Sequence, residues 1–188
     1  MIATTERRYS LDEYRAIAET SEERCEYYDG KLSNISGVTV NHSRIGGSIL
    51  LYLHEQFEDT EFEVFKSNLR LWIPKYCYGV YPDIMVFKGN LQLNADRDDE
   101  VLNPILIADV LYPKDKVQER PSKFHLYRSI LSFSEYLLIR QDKVCIEHYW
   151  KQDRNWILQD FDSLDQSISL KSVNIELVIS EIYRKINF

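Results

Sequence analysis

The sequence contains few of the residues that mark secreted, zinc-binding or membrane-spanning proteins. Its three cysteines, Cys25, Cys77 and Cys145, show no Cys-x-x-Cys spacing, which argues against a disulfide framework or a zinc site and suits a reducing cytoplasm. The N-terminal stretch MIATTERRYS lacks the apolar core of a signal peptide, and no apolar run approaches the roughly 20 residues that span a bilayer. We therefore expect a cytoplasmic protein with no membrane partner.

Glycine, proline and basic residues are also scarce. Six Gly and five Pro among 188 residues leave little room for linkers, so we expect a single domain over residues 1–188 with a substantial core. The 23 Lys and Arg residues are outnumbered by 30 Asp and Glu, which gives a net charge of −7. This balance disfavours a non-specific nucleic-acid binder, which usually has a basic surface. A nucleic-acid enzyme stays possible, because a cluster of acidic metal ligands is negative until the metal binds.

What the sequence does contain is a mixed order of helical and strand patterns. Helices are predicted over residues 10–18, 40–57, 120–131 and 173–186. Asp29-Gly30 is predicted to be the tight turn of a hairpin within 25–36. Further strands are predicted over 62–67, 69–73, 81–87, 104–111, 135–140, 143–150 and 155–161, with a polar surface loop over 89–103. Mixed elements around one sheet indicate an α/β or α+β fold.

Two aspartates interrupt the two most apolar strand patterns. Asp83 follows Pro82 near the start of the stretch YPDIMVF, and Asp109 lies inside ILIADVL. Carboxylates in central strands are costly unless they are paired, hydrogen-bonded or bound to metal. If the two strands are neighbours, the aspartates can share a hard divalent cation such as Mg²⁺, which prefers oxygen ligands. The structural alternative for Asp83 is that it ends a strand by accepting backbone hydrogen bonds.

Two other charged residues are candidates for the same site. Lys123 follows the Asp109 strand in a predicted helix and is placed to reach back over the strand ends, where a fixed cation would stabilise a scissile phosphate. Glu26, in the hairpin strand, is a candidate further metal ligand. The alternative roles are a solvated helix residue for Lys123 and a cross-strand ion pair with Lys31 or Arg24 for Glu26.

The motifs CEYYDGKL, NHSRI, YPDIMVF, IADVLYP and SKFHLY, in this order, resemble the Uma-two family of restriction endonucleases. That family belongs to the PD-(D/E)XK nuclease superfamily, and the resemblance runs from about Ser10 to the C-terminal helix. It implies a restriction-endonuclease-like core, an α/β (α+β mixed) sheet with flanking helices. The positions that match the family pattern are Glu26, His42, Asp83, Asp109 and Lys123.

The resemblance implies a metal-dependent endonuclease that hydrolyses DNA phosphodiester bonds, with Mg²⁺, or Mn²⁺, as cofactor. Asp83, Asp109 and Glu26 would bind the metal, Lys123 would orient the attacking water and stabilise the phosphorane charge, and His42 would be an accessory group. DNA and a second copy of the chain, in a homodimer, are the expected partners.

Three positions depart from the family pattern. The second acidic residue, usually Glu, is Asp109; the position two residues later, Lys in the superfamily pattern, is Leu111; and Tyr112 replaces a small hydroxyl residue. Two alternatives therefore stay open. One is a catalytically decayed nuclease-fold module that binds nucleic acid or protein, and the other is a structural or regulatory dimer that uses its aromatic strands as an interaction surface.

Overall fold

The computed structural model describes residues 7–21, 23–35, 37–95, 97–112 and 123–188. Four helices are present in these residues: α1 Leu11–Thr20, α2 Val40–Gln56, α3 Lys123–Tyr127 and α4 Ile179–Ile182, with a 3-10 turn at Pro74–Tyr76. The strands are β1 Cys25–Tyr28, β2 Lys31–Asn34, β3 Phe62–Lys66, β4 Arg70–Ile73, β5 Tyr78–Val80, β6 Ile84–Lys88, β7 Glu100–Val101, β8 Leu106–Leu111, β9 Glu135–Arg140, β10 Ile146–Gln152, β11 Asn155–Phe161, β12 Ser167–Leu170 and β13 Ile175–Val178. None of the described helices is long and apolar enough to cross a lipid bilayer.

The strands form two large sheets and a separate hairpin. The six-stranded sheet has the order β11-β10-β9-β8-β6-β3 and is mixed, because β8 pairs antiparallel with β6 and parallel with β9. The five-stranded sheet has the order β2-β1-β5-β4-β7, and β12 pairs with β13. The predicted mixed α+β class is confirmed, although the prediction placed the elements around one sheet.

Alternation along β8 explains why the six-stranded sheet is covered on both faces. Leu106, Ala108 and Val110 belong to one apolar core, together with residues of α2, α4 and the β12–β13 hairpin. Ile107 belongs to a second core, shared with β4 and β5 of the five-stranded sheet. Because successive side chains of a strand point to opposite faces, Asp109 points toward the layer between the two large sheets.

Local signals at the N-terminal end of the chain are confirmed. Ser10 caps α1 and forms a capping box with Glu13, each side chain bonding the other's backbone N–H. Asp29 and Gly30 both have positive φ, at 43° and 84°, as a tight hairpin turn requires. The predicted hairpin is therefore present, with β1 and β2 paired across this turn and Tyr28 opposite Lys31.

The predicted C-terminal helix over residues 173–186 is wrong. Ile175–Val178 forms a strand paired with Ser167–Leu170, and only Ile179–Ile182 is helical. The third helix ends at Tyr127, before the predicted Leu131, and its predicted first residues, 120–122, lie outside the described residues. The predicted surface loop over 89–103 contains strand β7, with the fully buried Glu100.

Glu100 is the centre of a buried ion-pair network that joins α1 to the five-stranded sheet. Its carboxylate accepts hydrogen bonds from Arg70 Nη1 at 2.9 Å, Arg15 Nη2 at 3.0 Å and Asn94 Nδ2 at 2.6 Å. Burial raises the pKa of Glu100, but the hydrogen bonds from Arg15, Asn94 and Arg70 outweigh burial and hold its pKa below the ordinary value of 4.5. Arg70 is itself only 4 % exposed, and its other carboxylate partner, Asp99 at 3.2 Å, has a side chain that is 41 % exposed.

We expect Glu100→Ala to lower the free energy of unfolding by about 3–5 kcal/mol, because it leaves the buried Arg70 charge poorly compensated. Urea unfolding at neutral pH measures this. Glu63→Ala, which removes an exposed glutamate on β3, is the control and should change stability by less than about 0.5 kcal/mol. Because the folded pKa of Glu100 is lowered, its contribution is present above pH 4.5 and is lost as the pH falls through the folded pKa. A deficit of the same size at neutral and strongly acidic pH would contradict this assignment.

Candidate active site

Asp83 and Asp109 lie opposite each other at one end of the paired strands β6 and β8. The register pairs Ile84 with Ala108, so the two aspartates are the next facing residues. The backbone N–H of Asp83 donates to Oδ1 of Asp109 at 3.3 Å, and Oδ2 of Asp83 accepts the Val110 N–H at 2.8 Å. The second bond is the structural role considered for Asp83, and it holds that carboxylate beside Asp109.

Asp109 is a buried carboxylate that is hydrogen-bonded by two tyrosine hydroxyls. It is 8 % exposed, and its Oδ2 accepts hydrogen bonds from Tyr136 at 2.7 Å and Tyr127 at 3.3 Å. Burial raises the pKa of Asp109, the Lys123 ammonium opposes this rise, and the Asp83 carboxylate adds to it. A cation at Asp109 would therefore favour its charged form.

Lys123 and Glu26 form an ion pair that joins α3 to β1. Lys123 Nζ donates to Glu26 Oε1 at 2.8 Å, and the Tyr78 hydroxyl donates to Oε2 at 2.9 Å. Burial lowers the pKa of Lys123, but the carboxylates of Asp109 and Glu26 outweigh it and raise the pKa above the ordinary value for lysine. Lys123 is therefore a positively charged donor next to two carboxylates, with 39 % of its side chain exposed.

Aromatic packing positions the short helix that carries Lys123. The ring of Phe124 lies 4.6 Å from the ring of Tyr149, 5.0 Å from Trp156 and 5.6 Å from Tyr136, measured between centroids. These partners come from β9, β10 and β11 of the six-stranded sheet. Packing on the sheet fixes α3, which has only five residues and little stability of its own.

His42 lies in the first turn of α2 and contacts Asp83. Thr39 caps this helix by accepting the His42 backbone N–H at 3.1 Å. The imidazole Nε2 lies 3.2 Å from Asp83 Oδ2, and the ring stacks on Tyr112 with a centroid distance of 5.3 Å. Tyr112 therefore covers one side of His42 at the edge of the site.

Comparison with known families identifies a family to which nearly the whole chain matches. A family model described as Uma2, putative restriction endonuclease, matches residues 11–180, which is most of the chain. The chain belongs to the Uma2 family. The resemblance identified from the sequence motifs is thereby confirmed.

Three similar proteins extend over nearly the whole length of this Uma2 chain. "Uncharacterized protein sll1609" from Synechocystis sp. is 32 % identical over 176 residues, 93 % of this chain and 99 % of that protein. "Uncharacterized protein slr1290" from the same organism is 27 % identical over 180 residues, 95 % of this chain and 93 % of that protein. A crystal structure described as a putative nuclease belonging to DUF820 from Anabaena variabilis superposes with a TM-score of 0.71 at 19 % identity, covering 94 % of this chain and 98 % of that one. This likeness supports the nuclease-like fold.

The five residues that match the Uma2 pattern come together in the fold as two linked groups. Asp83, Asp109 and His42 form one group through direct contacts, and Lys123 with Glu26 forms the other. The charge of Lys123 couples the groups, since it acts on the pKa of Asp109. The predicted assembly of these side chains is present, and their catalytic roles stay a prediction.

Three tyrosines in this Uma2 site were not identified from the sequence. Tyr78 lies in β5, which the strand patterns did not predict, Tyr127 has the spacing of an apolar helix face, and Tyr136 lies in an apolar strand. Phenylalanine would satisfy both apolar patterns equally well. The one available signal was the hydroxyl itself, because a buried tyrosine usually requires a hydrogen-bond partner.

The two aspartates fit a hard cation better than the larger predicted ligand set does. In the part of the chain that the structure describes, no group of three or more His, Cys, Asp or Glu side chains is arranged to hold a metal ion. Asp83 and Asp109 use Oδ2 for their strongest contacts, which leaves Oδ1 of each for a cation. Two carboxylates completed by water and substrate phosphate suit Mg²⁺. Glu26 is engaged by Lys123 and Tyr78, and its role as a metal ligand stays a prediction.

Proposed function

We propose that this Uma2-family protein is a Mg²⁺-dependent endonuclease that hydrolyses phosphodiester bonds in DNA. The observation that carries the proposal is the juxtaposition of Asp83 and Asp109 with the charged amine of Lys123. Two carboxylates and a fixed cation match the needs of phosphodiester hydrolysis, which are to hold a divalent cation and to neutralise the charge that develops on the phosphate. Packing alone does not account for two facing carboxylates in central strands.

In this proposal Asp83 and Asp109 bind Mg²⁺, or Mn²⁺ in its place. The metal would lower the pKa of its bound water and neutralise charge at the scissile phosphate. Because its pKa is raised, Lys123 stays protonated at neutral pH, so it donates hydrogen bonds to the attacking water or to a phosphate oxygen and does not act as a base. Glu26 holds Lys123 in place, and His42 orients Asp83.

The proposal includes a homodimer in the reducing cytoplasm. A duplex has two antiparallel strands, and two sites related by a two-fold axis would cut one strand each. Cys25, Cys77 and Cys145 are all free thiols, consistent with such a compartment. The net charge of −7 means that duplex binding must depend on a local basic surface, which two copies can assemble together.

Cleavage of supercoiled plasmid by the wild-type protein tests the proposed activity. We expect nicked and then linear DNA with Mg²⁺ or Mn²⁺, no cleavage in EDTA, and recovery when metal is added back in excess. Cleavage that persists in EDTA would contradict the metal dependence. Intact supercoiled, linear and single-stranded DNA at saturating metal would overturn the endonuclease and favour a decayed nuclease-fold module.

A further inference from the structure

Two buried tyrosine hydroxyls converge on the same oxygen of Asp109. Tyr136 lies in β9, one residue before the partner of Ala108 in the parallel pairing with β8, and its hydroxyl donates to Asp109 Oδ2 at 2.7 Å. Tyr127 ends α3, one turn after Lys123, and donates to the same oxygen at 3.3 Å. The two tyrosines are 2 % and 0 % exposed, so neither hydroxyl has bulk water as an alternative partner.

Both hydroxyls stay protonated and act as donors. A phenol is protonated at neutral pH and an ionised carboxylate oxygen can only accept, so each hydroxyl donates to Oδ2 of Asp109. A carboxylate oxygen has about two lone-pair positions for acceptance, and the two tyrosines occupy those of Oδ2. Oδ1 accepts the longer bond from the Asp83 backbone at 3.3 Å and is the oxygen with room for a further ligand.

This division of Asp109 into a protein-facing and a ligand-facing oxygen affects which cation the site accepts. Ca²⁺ takes six to eight oxygen ligands at about 2.3–2.6 Å and often binds both oxygens of one carboxylate. Mg²⁺ requires a compact octahedron at about 2.0–2.1 Å and is usually held by one or two carboxylates. An Asp109 that can offer a single oxygen therefore suits Mg²⁺ and disfavours the larger ion.

We infer that Tyr136 and Tyr127 are positioning residues that reserve Oδ2 of Asp109, so that this carboxylate binds a cation through Oδ1 and the site selects Mg²⁺ over Ca²⁺. The inference rests on the proposed function, since it concerns the same metal site. The inference adds two residues to the site, Tyr127 and Tyr136, which contact the Asp109 carboxylate and do not contact the cation. Conserving a tyrosine ring while removing its hydroxyl tests it directly.

The experiment is calorimetric titration of Mg²⁺ and of Ca²⁺ into the wild type, Tyr136→Phe and Tyr127→Phe, each without DNA. Outer partners of metal ligands typically contribute 10–100-fold in metal affinity. We expect Tyr136→Phe to weaken Mg²⁺ binding by about 10-fold and to leave Ca²⁺ binding unchanged or tighter, because Oδ2 becomes available. Tyr127→Phe removes the 3.3 Å hydrogen bond to Oδ2, which is longer than the bond from Tyr136, so it should act in the same direction with a smaller effect.

Tyr183→Phe is the matched control. Tyr183 is also a buried tyrosine with a bonded hydroxyl, which donates to the Arg140 carbonyl at 2.9 Å, and it lies in the core on the opposite face of the six-stranded sheet. All three variants should lose some thermal stability, whereas only Tyr136→Phe and Tyr127→Phe should change the Mg²⁺/Ca²⁺ affinity ratio. An unchanged ratio in both variants, or an equal loss for both ions, overturns the inference while the proposed function stands. A wild type that binds no Mg²⁺ overturns the metal site and the inference together.

Discussion

Asp83→Ala should lose Mg²⁺ binding and DNA cleavage together. The substitution removes one of the two facing carboxylates, takes away the acceptor of the Val110 N–H and deprives His42 of its partner. Replacing outer partners of metal ligands already costs about 10–100-fold in affinity, so we expect the loss of a direct ligand to exceed about 100-fold. Calorimetric titration of Mg²⁺ and Mn²⁺, followed by plasmid nicking by the same samples, measures both quantities.

Two further variants separate charge from folding in this test. Asp83→Asn keeps the size of the side chain and removes its charge, so it should bind metal almost as poorly while retaining more stability than the alanine variant. Asp160→Ala removes an exposed aspartate from the edge strand β11 and should leave both binding and nicking unchanged. Full metal binding by a folded Asp83→Ala protein would show that the cation, if any, is held elsewhere.

Lys123→Met should abolish most cleavage while leaving the metal in place. Methionine keeps the apolar stem and removes the ammonium group that pairs with Glu26. Loss of one preorganised donor to a developing oxyanion costs about 10²–10³ in kcat, and we expect a loss of this size. The Lys123 ammonium acts on Asp109 and would repel a divalent cation bound there, so its removal should leave Mg²⁺ binding retained or strengthened at neutral pH.

Comparing Asp83→Ala with Lys123→Met tests the proposed roles more strictly than either variant does alone. Asp83→Ala is expected to lose both properties, whereas Lys123→Met is expected to lose cleavage alone, measured as kcat on plasmid at saturating Mg²⁺. Lys123→Arg keeps the charge and should recover part of the activity. Lys151→Met, on an exposed position of β10, is the control for a lost surface charge. Unaltered cleavage by Lys123→Met would exclude the proposed role of this residue.

The parts of the fold that the sequence predicts well are those with local causes. Asp29-Gly30 determines its hairpin through backbone conformations available within the turn, and Ser10 with Glu13 begins α1 through bonds within four residues. The C-terminal error has a non-local cause. The stretch Ile175–Val178 is compatible with a helix pattern, and its strand form depends on pairing with Ser167–Leu170, which no local pattern reports.

In the candidate site, too, the features with local causes were predicted and those that depend on distant contacts were not. The strand patterns around Asp83 and Asp109 left open whether the two strands are neighbours, the family resemblance implied a shared site, and the strand register brings the two residues opposite each other. The hydrogen-bonding and ion-pair partners of the site residues could not be predicted from the sequence. Tyr136 contacts Asp109 because β8 and β9 pair in parallel, and Glu26 contacts Lys123 because α3, which packs on the six-stranded sheet, also reaches β1 of the other sheet. Such contacts depend on sheet order and layer packing, which apolar periodicity does not encode.

The Glu26–Lys123 ion pair spans 97 positions of the chain, and His42, Asp83 and Asp109 lie between its two members in the sequence. Contacts of such long sequence separation form late, because the closure of long loops must precede them. A ribosome-bound chain that has emerged only as far as β8, or a proteolytic fragment ending there, carries both aspartates without the lysine. For the proposed endonuclease, this order of synthesis would delay DNA hydrolysis until Lys123 has emerged and paired with Glu26.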